Sequence, residues 1–102
     1  MYLVQLLLPI RDESGRRFPR ELYDSLANEL TDRFGGVTAY TRAPAAGLWE
    51  ENPGRKVRDD VIIYEVMAAE LHESWWKAMR NRLEKLFQQD ELVVRAHEIH
   101  RL

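Results

Sequence analysis

The stretch His97-Glu98-Ile99-His100 holds side chains able to bind a metal or move a proton. Imidazole and carboxylate suit zinc or iron, and a spacing of three brings two ligands together on a helix. In a strand, positions 97 and 100 point to opposite faces, so they do not share an ion and no metal site is expected. His97 alone keeps a chemical role, because imidazole titrates near neutrality and can give or take a proton. The competing reading is a half-exposed polar residue at a dimer interface. Glu65, the only charge in Val61 to Met67, is the second proton-carrier candidate. Arg42 and Arg95 carry planar guanidinium forks that bond a carboxylate through two parallel hydrogen bonds. Tyr40 and Trp49 are aromatics fit to wall a pocket, although Trp49 equally suits a plug that anchors its own loop. The expected site therefore has His97 and Glu65 as catalytic groups. Tyr40, Arg42, Trp49 and Arg95 would bind a small anionic ligand.

Other chemistries find less support. The sequence contains no cysteine, which excludes a thiol nucleophile, a disulfide and a Cys-ligated zinc. Ser14, Ser25 and Ser74 are its only serines, and none lies in a G-x-S-x-G turn. Arg16, Arg17 and Arg20 flank Phe18, but no glycine-rich phosphate loop accompanies them, and Asp12 and Glu13 dilute their charge. Fifteen basic and 17 acidic residues leave a net charge of -2, which speaks against a nucleic-acid partner. No cofactor is implied.

These side chains need elements to position them, and 102 residues suffice for one domain with a modest core. Tyr2 to Leu8 reads as a short apolar strand whose pairing ends at Pro9. Pro19 suits the first turn of a helix. From there Leu22, Leu26 and Leu30 recur at helical spacing, until Gly35-Gly36 stops the helix. Val37 to Arg42 alternates as a strand. Ala43 to Lys56, with Pro44, Gly47, Pro53 and Gly54, reads as a long irregular loop. Val61 to Met67 is a third strand. A second helix begins between Ala69 and Ser74 and carries the stripe Trp76, Met79, Leu83, Leu86, Phe87. Leu92 to Ile99 is the last strand.

The order β-α-β-β-α-β predicts an α+β, ferredoxin-like fold across residues 1–102. It is a four-stranded antiparallel sheet, order 4-1-3-2, with two helices on one face. Strand parity divides the residues between two faces. The face away from the helices receives Leu3, Leu7, Ile63, Val93 and Ile99 among Gln5, Tyr40, Arg42, Glu65, Arg95 and His97. RNA-recognition domains share this topology, but the positions where they stack bases hold Leu3, Gln5, Leu7, Ile63 and Glu65 here. So large an aliphatic patch calls for a cover, and a second copy of the chain, placed by two-fold symmetry, is the expected one. The loop over 43–56 is the competing cover. No stretch approaches the ~20 apolar residues of a membrane span, and no signal-peptide pattern is visible, so a cytoplasmic location without membrane contact is expected.

The half-apolar open sheet resembles the dimeric α+β barrel group of ferredoxin-like proteins. Phe34-Gly35-Gly36-Val37-Thr38, Gly47-Leu48-Trp49, Arg58-Asp59-Asp60-Val61-Ile62-Ile63 and the segment Arg82 to Arg95 are similar to a family of uncharacterised small bacterial domains. That resemblance implies the fold and carries no activity, because one fold hosts many functions. The expected function is a homodimeric small-ligand-binding or assembly domain without catalysis. The alternative is a cofactor-independent, monooxygenase- or isomerase-like enzyme acting on a small organic acid or aromatic at the open face.

Overall fold

The structure, a computed structural model, describes residues 1–42 and 61–102, with the backbone alone at residue 42. Its elements are β1 (Tyr2–Pro9), α1 (Arg20–Phe34), β2 (Thr38–Arg42), β3 (Val61–Ala68), α2 (Glu73–Leu86) and β4 (Val94–Glu98). The sheet order is β2-β3-β1-β4, which is 4-1-3-2 read from the other edge, and every neighbouring pair is antiparallel. This is the ferredoxin-like arrangement that the element order predicts.

Parity decides which side chains enter the core. Val4, Leu6 and Leu8 of β1, with Tyr64 and Val66 of β3, form one buried cluster with Tyr23, Leu26 and Leu30 of α1 and Trp76, Met79 and Leu83 of α2. Both helices therefore cover the same face. Phe87 is fully buried at the end of α2, with Phe18 set edge-on to it at 5.1 Å. Trp76 is buried in the stripe, whereas Trp75 is half-buried at its margin, where the Arg33 guanidinium lies 4.3 Å from its ring centre. Two phenols tie the layers together: Tyr23 donates to the Pro9 carbonyl, and Tyr64 donates to the Tyr23 carbonyl at 3.1 Å.

The last strand is shorter than Leu92 to Ile99. The Leu92 N–H donates to the Glu84 carboxylate of α2 rather than to a neighbouring strand, so this residue belongs to the helix connection. The apolar set Leu92, Val94, Ala96 also loses its cover along the strand: Leu92 is buried, Val94 half-buried and Ala96 exposed. No helix among the described residues is long and apolar enough to cross a membrane.

Candidate functional site

The register fixes how the open face is laid out. One row runs Thr38, Glu65, Gln5, Arg95 across all four strands. The next row in one direction is Tyr40, Ile63, Leu7, with Val93 accepting the Leu7 N–H at 3.0 Å. In the other direction Met67, Leu3 and His97 stand side by side. A polar row is thus flanked by two rows that are largely aliphatic.

Gln5 organises the polar row. Its side-chain oxygen accepts from Arg95 Nε at 2.8 Å, and its amide nitrogen donates to the Tyr40 hydroxyl at 3.5 Å, a long contact. The Glu65 carboxylate beside Tyr40 accepts from its hydroxyl and opposes a phenolate, which raises the Tyr40 pKa above its ordinary value. Gln5 and the positive charge of Arg95 act in the opposite direction. Two of the candidate residues, Tyr40 and Arg95, are therefore linked through a residue that the sequence marked only as polar, and Glu65 stands beside Tyr40. Gln5 sits between Glu65 and Arg95, so the two charges stand two strands apart.

The remaining candidates lie elsewhere. His97 is exposed and belongs to the Leu3 row, its backbone about 12 Å from that of Glu65 at ordinary strand spacings. Arg42 pairs with Val61 at the far end of β2. Three strand spacings and four residues of offset separate its backbone from that of Arg95 by about 19 Å. Trp49 and the loop over 43–56 lie outside the described residues, as does the side chain of Arg42. Among the described residues no group of three or more His, Asp or Glu side chains converges as metal ligands would.

A second feature lies on the opposite side of the sheet. Where α2 stops covering β4, a groove of about 240 Å³ opens between them. Val4, Trp76, Val94 and Ala96 contribute to its apolar surface, and Lys77 and Arg80 add two cations. Glu73 also borders it. Neither Lys77 nor Arg80 is ion-paired among the described residues. Arg80 Nε is buried with no hydrogen-bond partner among them. Arg95 lines the groove as well, but its guanidinium is held on the other face by Gln5. Sequence reasoning passed over this groove, although Glu73, Trp76, Lys77 and Arg80 recur at the three- and four-residue spacing of one helix face.

No family profile, no curated protein and no solved structure matches the chain.

Proposed function

We propose that the protein is an assembly domain that pairs with a second copy of itself through the open sheet face, in the manner of the dimeric α+β barrels. One observation carries the reading. Met67 is 49% exposed, Val93 45% and Tyr40 40%, and all three stand on the face that also holds Leu3 and Leu7. Apolar area of this kind is stabilised when it leaves water, at about 25 cal/mol per Å².

The polar row does not oppose such pairing. Gln5 bonds Arg95 within the row and Tyr40 in the next row, so covering them leaves fewer groups without partners. Its formal charges are one Arg and one Glu, which cancel. That balance favours an apolar partner surface over an anionic ligand at this row. The proton carriers His97 and Glu65 stand in separate rows, which favours the reading without catalysis.

Light scattering on the unmodified protein tests the proposal and should return twice the chain mass. Met67→Lys and Val93→Lys place a charge at exposed positions, which the monomer tolerates and an apolar contact does not. Each variant should be a folded monomer. A monomeric unmodified protein at about 100 μM, weaker than the common range of specific association, overturns the proposal.

A further inference from the structure

We propose that the groove between α2 and β4 binds a small organic monoanion, a carboxylate carried on a single ring or a short aliphatic body. Size sets the first limit. About 240 Å³ is below the usual range for drug-sized ligands, so the ligand is smaller than these. Its body is apolar, because Val4, Trp76, Val94 and Ala96 offer it no charge. Its charge is negative, because Lys77 and Arg80 stand over that surface without a carboxylate partner among the described residues.

The geometry of Arg80 is the sharpest indication. A guanidinium has five N–H donors, and here Nε is already out of water with no acceptor. That desolvation is uncompensated by any described protein group. A carboxylate meeting Nε and one outer nitrogen side by side would supply that acceptor through charge-assisted bonds in a partly dry setting, where they are strongest. Lys77 lies one turn earlier on the same helix face and adds a second positive charge as a point donor. Lys77, Arg80 and Arg95 stand against Glu73 around the groove, but the Arg95 guanidinium is held on the open face by Gln5, so Lys77, Arg80 and Glu73 leave about +1 inside it, which fits a monoanion better than a phosphate dianion. Arg95 thus borders the groove, but its side chain bonds Gln5 on the open face, so the groove's own cations, Lys77 and Arg80, stand apart from the face used in pairing.

Isothermal calorimetry on the full chain tests the inference, with benzoate, hexanoate and inorganic phosphate as separate probes. Oligomeric state is recorded in the same samples, so a failure of pairing is not mistaken for a failure of binding. Benzoate or hexanoate should bind with Kd below about 1 mM. Lys77→Gln changes an exposed position and should weaken binding by about tenfold, as should Arg80→Gln where circular dichroism shows it folded. Ala96→Leu fills the groove without touching its charge and should abolish carboxylate binding. Three results overturn the proposal: no carboxylate binding below about 1 mM, binding that survives both Lys77→Gln and Ala96→Leu, or phosphate binding as tightly as the carboxylates.

Discussion

Tyr23 joins α1 to β1 by a single hydroxyl, and its environment makes that bond pH-sensitive. Burial pushes its pKa up to about 12 from 10, and the neighbouring Tyr64 adds to the effect. Burial raises Tyr64 as well, with Asp24 contributing. The unfolded chain therefore releases these protons first as pH rises. The stability linked to neutral Tyr23 is complete below about pH 10 and is lost as pH climbs towards 12. Tyr23→Phe removes that titration and leaves the Pro9 carbonyl without its donor. At pH 7 it should cost about 1 kcal/mol by urea denaturation. Between pH 10 and 12 its stability should fall less steeply than that of the unmodified protein, with a residual slope from Tyr64. Parallel curves across that range would show that Tyr23 is not the titrating group.

The helix that carries Tyr23 ends at Gly35, whose φ of 84° lies in the left-handed region, and whose N–H donates to the Thr31 carbonyl at 2.8 Å. A Cβ there meets nothing within 4 Å, so Gly35→Ala isolates the conformational penalty from any clash. That penalty is about 1 kcal/mol, enough to lower Tm by roughly 4–8 °C in a domain of this size. Gly36 has the same open surroundings without the positive φ, and Gly36→Ala should leave Tm unchanged or slightly higher. Calorimetry on both variants separates the two glycines. The helix-strand pattern was readable because it is local: Leu22, Leu26, Leu30 and the Gly35-Gly36 stop all lie within one element. Parity puts positions 42 and 95 on one face, but parity contains no register. Only the pairing of Thr38 with Glu65, Glu65 with Gln5 and Gln5 with Arg95 shows that Arg42 lies four residues off the Arg95 row. Gln5 was likewise visible only as a polar residue, because its two partners come from strands 35 and 90 residues away in the chain.

At the scale of the whole molecule, the two helices cover one face of the sheet and leave Met67, Val93 and Tyr40 exposed on the other. A protein that stabilises this face by pairing must have a stability that depends on its own concentration. A partner that binds only the folded chain adds free energy that grows with the logarithm of concentration above Kd. Thermal unfolding of the unmodified chain should therefore shift upwards by several degrees over a hundredfold rise in concentration, since one kcal/mol moves Tm by roughly 4–8 °C in a domain of this size. Met67→Lys should unfold at one temperature at every concentration, close to that of the unmodified chain at high dilution. Met67 lies outside the buried cluster that joins the helices to the sheet, so this variant separates pairing from folding. The buried Ile63, at 3% exposure, would confuse the two. A Tm that does not move with concentration in the unmodified protein, or that moves equally in Met67→Lys, would place the stability of the fold wholly within one chain and remove the open face as a pairing surface.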